Sequence, residues 1–351
     1  MANGNGKKVD AVFEGGGVKG IALVGAVQVT EEQGYQFENV AGTSAGAIVA
    51  SLIAAGYSAK ELKEIMDKLN YNDFKDKGWV DKIPLIGEAL SLGFENGIYE
   101  GEFLENWLRD LLKARGIETF QDLIIAEYQD NPKYRYKLQV IATDISRGRM
   151  LVLPQDIEDY GINPDTLAVA HAVRMSMSIP LFFEPVILKT ASGETSYIVD
   201  GGVLSNYPVW IFDDETDEPA WPTLGYKLVA PDDVEQKPRQ IKGPISLLAA
   251  MISTMMEAHD AKYIKDSAFI RTIPIPTLGV ETTDFNLSRE RSEQLYQSGI
   301  EAATNFFNYW DFDKYKTSQR KAIPSGRRQQ VWGQPVQVQP AASTGGLTLP
   351  K

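Results

Sequence analysis

The chain opens with two short hydrophobic strands, each followed at once by small residues and then by a helix. Residues 9–13 read Val-Asp-Ala-Val-Phe and end at glycines, and residues 18–34 follow with helical periodicity. Residues 37–41 repeat the strand, and residues 45–56 repeat the helix. A strand–helix–strand–helix order builds a parallel sheet covered by helices, so the sequence predicts an α/β fold.

Further segments continue this pattern along the chain. Residues 58–69 and 100–115 are amphipathic and predict helices. Residues 136–144 and 195–199 predict further strands. Open sheets of this kind place their ligand sites at the carboxyl ends of the strands, so motifs at those ends carry the most information about function.

The two ends of the chain differ in composition from its middle. Residues 1–10 are polar and lack the apolar segment of a signal peptide, and no run of about 18 apolar residues could cross a bilayer. Gln, Pro, Ser and Gly dominate from residue 318 onwards. We therefore expect a flexible N-terminus over residues 1–8, one domain over residues 9–317 and a disordered tail over residues 318–351. We expect a cytoplasmic protein with at most peripheral membrane contact.

Composition excludes several classes of site. Of the 351 residues, 43% are hydrophobic and 23% are charged, as in a globular protein with a core. The net charge of −12 disfavours a non-specific nucleic-acid binder, which needs a basic face. The chain has no cysteine, which excludes disulfides and thiolate catalysis, and it has two histidines, His171 and His259. We expect neither a metal ion nor a cofactor.

A glycine-rich loop follows the first strand and opens the first helix. Its glycines and its lysine are Gly15, Gly16, Gly17, Lys19 and Gly20. Glycines allow a tight turn whose N–H groups point at one spot, and the helix N-terminus adds positive potential there. The loop therefore predicts an anion site, for a phosphate or for a transient oxyanion. For Lys19 we favour an ion pair with a surface acid over contact with a lipid phosphate.

A second motif, Gly42-Thr43-Ser44-Ala45-Gly46, lies between the second strand and the second helix. Gly-x-Ser-x-Gly in this position is the nucleophile-elbow pattern, in which the serine occupies a sharp turn. The flanking Gly42 and Gly46 let the strand and the helix approach each other. The N–H of Ala45 can help to hold an oxyanion, so Ser44 is the candidate nucleophile.

A third motif, Asp200-Gly201-Gly202, follows the strand at residues 195–199. Asp-Gly is a common turn signal, and alone this motif indicates a turn. The first loop also fits a dinucleotide-binding fingerprint. That interpretation is disfavoured because the second strand ends at Ser44 and not at the acid that would hold a ribose.

In this order, the glycine loop, the serine elbow and Asp-Gly-Gly resemble the patatin-like phospholipase family. Further similar stretches are residues 141–144 (Ile-Ala-Thr-Asp), 174–180 (Arg-Met-Ser-Met-Ser-Ile-Pro) and 204–208 (Leu-Ser-Asn-Tyr-Pro). The resemblance covers residues 9–310. It implies a three-layer α/β/α sandwich with a mostly parallel central sheet.

The resemblance also implies an activity. A dyad of Ser44 and Asp200 would cleave ester bonds in phospholipids or related acyl lipids, with the glycine loop as the oxyanion hole. An ordinary aspartate has a pKa of about 3.9 and is a poor base at neutral pH, so such a dyad requires burial of Asp200. Peripheral contact with a membrane would bring the enzyme to its substrate. The oligomeric state is left open.

Two other interpretations remain. Ser44, Asp200 and His259 occur in the chain order of an α/β-hydrolase triad, although His259 lies in a helix-periodic stretch over residues 245–265. His171 also lies in a helix-like stretch, and we expect it to be structural. The second alternative is a catalytically silent lipid-binding module, which the intact serine and aspartate argue against.

Three segments have open roles. Residues 79–98 form either ordinary core packing, which we favour, or a mobile lid over the site. The acidic run at residues 213–218 lacks calcium-loop spacing and predicts a solvated loop. The basic run at residues 314–328 either attracts anionic lipid head groups or keeps the tail solvated.

Overall fold

The computed structural model describes residues 7–69, 101–190, 192–213, 219–230 and much of residues 241–319. The gaps within that last range are residues 244–246, 249, 253, 256–269, 283 and 285. Residues 79–98, for which core packing or a lid was open, His259, and the chain beyond residue 319 therefore lie outside the described residues.

One sheet forms the centre of the described part of the chain. Its strands are β1 (Lys7–Phe13), β2 (Tyr35–Thr43), β3 (Leu138–Asp144), β4 (Arg149–Leu153), β5 (Val186–Lys189), β6 (Thr195–Asp200), β7 (Thr223–Val229) and β8 (Thr272–Pro276). Their order is β5-β6-β3-β2-β1-β7-β8, with β4 also paired to β3. The neighbouring strands β3, β2, β1, β7 and β8 run parallel to one another. β4 and β6 pair antiparallel with β3, and β5 pairs antiparallel with β6.

Helices flank this sheet. The α-helices are α1 (Gly20–Glu32), α2 (Ala45–Ala54), α3 (Ala59–Lys68), α4 (Glu102–Lys113), α5 (Val169–Ser176), α6 (Arg289–Tyr309) and α7 (Phe312–Gln319). Short 3-10 helices occupy Gly17–Lys19, Phe120–Leu123, Ala126–Tyr128, Gln155–Tyr160, Pro164–Thr166 and Gly201–Val203. None of the described helices is both long enough and apolar enough to cross a membrane.

The two faces of the sheet are covered by different parts of the chain. Phe13 and Val40 point to the face on which the helices pack, within the larger hydrophobic core. Val12 and Ala41 point to the opposite face and pack with residues 207–212 in a second core. Neighbouring residues of a strand face opposite sides, so β1 and β2 are buried from both. The predicted fold class, mixed α/β with a mostly parallel central sheet, is confirmed.

The opening elements lie where the sequence predicts them. Each of the first two strands runs directly into a turn and a helix, and these turns carry the glycine loop and the serine elbow. The first predicted helix differs in one respect, because Gly17–Lys19 form a 3-10 turn before α1 begins at Gly20. Both motifs therefore lie at the carboxyl ends of neighbouring parallel strands.

Candidate active site

Ser44 occupies the sharp turn between β2 and α2. Its φ of 53° lies in the left-handed region, which residues other than glycine rarely adopt and which is common at functional sites. The Ser44 N–H donates to Ser176 Oγ at 2.8 Å, and Ser176 Oγ donates to the carbonyl oxygen of Ile141 at 2.5 Å. Ser176, at the end of α5, therefore ties the turn to β3.

Close backbone packing on both sides of the turn explains its small residues. A Cβ atom on Gly42 would lie 2.3 Å from the carbonyl oxygen of Gly46. A Cβ on Gly46 would lie 2.3 Å from the carbonyl oxygen of Phe13. A larger residue at either position would push α2 away from the ends of β1 and β2, and would move Ser44 with it.

Asp200 ends β6, two strands away from β2. It lies opposite Ala142 of β3, and Ile141 lies opposite Thr43 of β2. The register therefore places Asp200 and Ser44 at the same level of the sheet, on either side of β3. The Asp200 N–H donates to the carbonyl oxygen of Ser178 at 2.9 Å, which fixes the end of the strand.

Both side chains of the candidate dyad are fully buried. Burial raises the pKa of Asp200 to about 7, while the neighbouring Ser44 side chain and the hydrogen bond from the Gly202 N–H act in the opposite direction. The Gly202 N–H donates to Asp200 Oδ1 at 2.8 Å. A carboxyl group with a pKa near neutrality can accept a proton at neutral pH and release it again.

The hydroxyl of Ser44 has two groups within reach, the Met177 thioether and the Asp200 carboxyl group. Ser44 Oγ donates to Met177 Sδ at 3.5 Å. Asp200 Oδ2 is buried and has no hydrogen-bond partner among the described residues. The Ser44 side chain lies close enough to affect the Asp200 pKa, so a rotation of the hydroxyl is the movement needed to join the two groups.

The glycine loop lies against this pair. A Cβ on Gly15 would come within 3.0 Å of Ser44 Cβ and 2.2 Å of Asn206 Oδ1. Gly15 is held by two hydrogen bonds, from its N–H to the carbonyl oxygen of Asn206 at 3.2 Å and from Asn206 Nδ2 to its carbonyl oxygen at 3.1 Å. The Gly15 N–H is therefore already engaged. Among the described residues, the N–H groups of Gly16, Gly17 and Ala45 have no hydrogen-bond acceptor.

The remaining glycines of the motifs lie at close contacts. A Cβ on Gly201 would lie 2.3 Å from the carbonyl oxygen of Ile141, and one on Gly20 would lie 3.3 Å from Ala45 Cβ. Lys19 precedes α1, and its N–H donates to the carbonyl oxygen of Gly16. The surface ion pair of Lys19 stays a prediction.

Comparison with known proteins identifies the family. The model of the family described as "Patatin-like phospholipase" matches residues 11–213.

The chain belongs to the patatin-like phospholipase family.

This chain is 41% identical over 305 residues to "Uncharacterized protein YqhO" of Bacillus subtilis, and the match covers 87% of this chain and 99% of that protein. It is 25% identical over 207 residues to "cUMP-AMP-activated phospholipase" of Escherichia coli, which spans 56% of this chain and 55% of that protein. Among solved structures, VipD from Legionella pneumophila has a TM-score of 0.51 at 19% identity. That match covers 87% of this chain and 67% of VipD, and it shows similarity of fold. Together, the family and its phospholipase relatives support a lipid hydrolase activity.

His171 has its partner outside the candidate dyad. Its Nδ1 is 3.1 Å from Glu105 Oε2, so it links α5 to α4. Asp213, the first residue of the acidic run, is also engaged. It is buried and forms a two-pronged ion pair with Arg271, with Nη2 to Oδ2 at 2.7 Å. The predicted solvated loop is therefore wrong for Asp213, because the guanidinium compensates its charge inside the protein.

Three residues at this site had no role assigned from the sequence: Ser176, Met177 and Asn206. All three belong to stretches that carry the family resemblance. Their roles depend on contacts between segments far apart in the chain, such as Gly15 and Asn206, which are 191 positions apart. The available signal was the presence of the polar Ser176 and Asn206 in two stretches that resemble the family.

Proposed function

We propose that this patatin-like phospholipase is a lipid acyl hydrolase of the phospholipase A type, which acts through a dyad of Ser44 and Asp200. The observation that carries the proposal is the pairing of a buried serine on a left-handed turn with a buried carboxyl group of raised pKa. The two lie at one level of the sheet. An acid whose pKa is about 7 can serve as the general base without a histidine.

The reaction begins with rotation of the Ser44 hydroxyl from Met177 Sδ to Asp200 Oδ2. Asp200 takes the proton as Ser44 Oγ attacks the ester carbonyl carbon and the carbonyl oxygen becomes an oxyanion. Collapse of this tetrahedral species breaks the carbon–oxygen ester bond, and the leaving alcohol takes the proton from Asp200. Water then attacks the acyl-enzyme in the same way and releases the fatty acid and free Ser44.

The N–H groups of Gly16, Gly17 and Ala45 form the oxyanion hole in this mechanism. Each correctly placed donor stabilises the transition state by about 3 kcal/mol. Asn206 acts as a positioning residue for the first of them. In a trans peptide the C=O and the following N–H point in opposite directions, so the bond from Asn206 Nδ2 to the Gly15 oxygen also orients the Gly16 N–H.

The proposal is tested with Ser44→Ala, assayed on a soluble short-chain ester and on a phospholipid panel with mass spectrometry of the products. Ser51→Ala is a matched control, because Ser51 is also buried on α2 and its hydroxyl, among the described residues, donates to its own helix at the carbonyl oxygen of Ile48. We expect Ser44→Ala to lose turnover of every ester and Ser51→Ala to keep it. Full activity of folded Ser44→Ala would contradict the mechanism, and the identified fatty acids and lysolipids would define the acyl position.

A further inference from the structure

Three large apolar side chains form an exposed row on the antiparallel side of the sheet. Ile145, Ile187 and Tyr197 are 52%, 56% and 44% exposed. Ile187 of β5 is the register partner of Tyr197 of β6, and the Ile145 N–H donates to the carbonyl oxygen of Tyr197. Side chains of directly opposed residues project from the same face of a sheet. The row is therefore contiguous, unlike the single exposed apolar residues that are common on protein surfaces.

The row lies close to the candidate base along the same strand. Tyr197 lies three positions before Asp200 on β6, which is about 10 Å of extended chain, and the two side chains project from opposite faces of the sheet. β6 runs antiparallel to β3, so the direction from Asp200 to Tyr197 is the direction in which β3 ends. The row thus lies at the carboxyl end of the parallel strands, the end at which α/β proteins bind their ligands.

A lysine, Lys189, lies beside the apolar row. Lys189 is two residues beyond Ile187 on the same face of β5 and is exposed. It has no ion-pair partner among the described residues. In a chain of net charge −12, Lys189 places a positive charge beside exposed isoleucine and tyrosine. Apolar and aromatic side chains flanked by lysine are typical of surfaces that enter the interface of a bilayer.

We propose that Ile145, Ile187, Tyr197 and Lys189 form a membrane-docking patch that holds the enzyme on a phospholipid bilayer during turnover. This inference rests on the proposed function, because a bilayer is the place where an acyl hydrolase meets phospholipid substrate. Three half-exposed side chains offer on the order of 300 Å² of apolar surface. A stable dimer buries about 800 Å² on each partner, so the patch is too small for a second copy of the chain and large enough to insert shallowly into lipid.

The test compares two double variants of the full chain. Ile187→Ser/Tyr197→Ser removes the centre of the patch. Ile241→Ser/Tyr309→Ser is the matched control, because it removes one isoleucine that is 56% exposed and one tyrosine that is 86% exposed, both outside the row. Binding is measured by co-sedimentation with vesicles of phosphatidylcholine and phosphatidylglycerol, and turnover is measured on these vesicles and on a soluble short-chain ester.

We expect the patch variant to bind vesicles and to hydrolyse vesicle lipid at least about tenfold more weakly, with unchanged turnover of the soluble ester. Lys189→Gln should weaken binding about fivefold on vesicles that contain phosphatidylglycerol and much less on pure phosphatidylcholine. The control variant should match the wild type in every assay.

Several outcomes would overturn the patch. The patch is wrong if both double variants bind vesicles equally well, or if the wild type does not bind vesicles. It is also wrong if the wild type is a dimer and the patch variant is a monomer. A loss of soluble-ester turnover in the patch variant would also overturn it, because the pair would then support the site itself. If the wild type hydrolyses no ester at all, the proposed function fails, while the vesicle-binding comparison still decides the patch.

Discussion

Asp10 and Asp200 are buried carboxyl groups in different regions of one sheet, and in both burial raises the pKa to about 7. Asp10 lies within β1, and Asp200 ends β6 next to the serine elbow. Desolvation disfavours the charged form of each in the same way. A raised pKa is thus shared by a candidate base and by a carboxyl group away from the elbow, and it does not by itself identify the base.

Hydrogen bonding separates the two groups. Asp10 Oδ1 accepts the Asn39 N–H at 3.0 Å, and the Trp221 side chain hydrogen-bonds to the same carboxyl group. Asp200 Oδ2 has no partner among the described residues. A buried acceptor without a partner is costly, and a catalytic role is one of the reasons for keeping it. Asp10 therefore holds β1 to β2, whereas Asp200 is available to accept a proton from Ser44.

The largest expected effect comes from exchanging each acid for its amide. Asp200→Asn should lower kcat/KM on a soluble ester by about 10³-fold or more, because an amide cannot take the serine proton. Asp10→Asn should keep kcat within about threefold and lower stability by about 1–3 kcal/mol, because one of its two donors would lose its acceptor. Steady-state kinetics and urea unfolding measure both.

Histidine variants complete this comparison and decide between a dyad and a triad. His171→Ala and His259→Ala should each keep most of the activity, since in a dyad the aspartate itself takes the proton. In a triad the histidine is the base, and its removal costs several orders of magnitude. A folded His259→Ala protein as inactive as Ser44→Ala would replace the dyad by the Ser44–Asp200–His259 triad. Circular dichroism of each variant confirms that it is folded.

The next effect is the dependence of activity on pH. Asp200 must be deprotonated to act as a base, so kcat/KM should rise about 100-fold from pH 5 to pH 8, with an apparent pKa of about 7. A pH-independent kcat/KM over this range would exclude Asp200 as the titrating base. The soluble ester is the appropriate substrate, because vesicle binding has a pH dependence of its own.

Stability should change with pH in the opposite direction. The folded state keeps both Asp10 and Asp200 protonated up to a pKa of about 7, whereas an unfolded aspartate has a pKa of 3.8. Between these values the folded state binds more protons, so the free energy of unfolding falls as pH rises through about 4 to 7, by a few kcal/mol for each group. Urea unfolding at pH 5 and pH 8 should show this, and Asp10→Asn and Asp200→Asn should each remove part of it.

A smaller effect is expected from two buried asparagines, one in each region. Asn206→Ala removes the donor that holds the Gly15 carbonyl group, so kcat should fall about 30-fold with little change in KM. Asn39→Ala is the matched control. Asn39 Nδ2 also donates to backbone carbonyl oxygens, those of Tyr134 and Tyr136, but Asn39 lies beside Asp10 and not beside Asp200. It should lower stability and leave kcat unchanged. Equal kcat values in the two variants would remove Asn206 from the mechanism.

The comparison of the Asp10 region with the Asp200 region also shows what the sequence could and could not predict. The first strands and helices and the three motifs were predictable because each has a local pattern, such as Gly-x-Ser-x-Gly between a strand and a helix. β5 has four residues and β8 contains Pro274 and Pro276, so neither has a strong strand pattern. The partners of Asp10, and the bond between Asn206 and Gly15, arise only when distant segments pack together, so no local pattern could reveal them.

The smallest effect should come from Met177, which accepts the Ser44 hydroxyl in the resting geometry. Met177→Leu keeps the volume of the side chain and removes the sulfur acceptor. Of the two acceptors near the Ser44 hydroxyl, the Met177 sulfur and Asp200 Oδ2, only Asp200 Oδ2 then remains. A hydrogen bond to the carboxylate stabilises its charged form, so the apparent pKa in the kcat/KM profile should shift downward by a few tenths of a unit. Turnover at pH 8 should stay within about threefold.

Met175→Leu is the matched control for this substitution. Met175 is also buried, lies on α5 two positions before Met177, and has no hydrogen bond to Ser44. It should leave the pH profile unchanged, because a change in packing alone does not alter which acceptor the serine hydroxyl uses. The same downward shift in both variants would attribute it to repacking of α5. A shift in Met177→Leu alone would show that the thioether and the carboxylate compete for the proton of Ser44, which is the property that distinguishes Asp200 from Asp10.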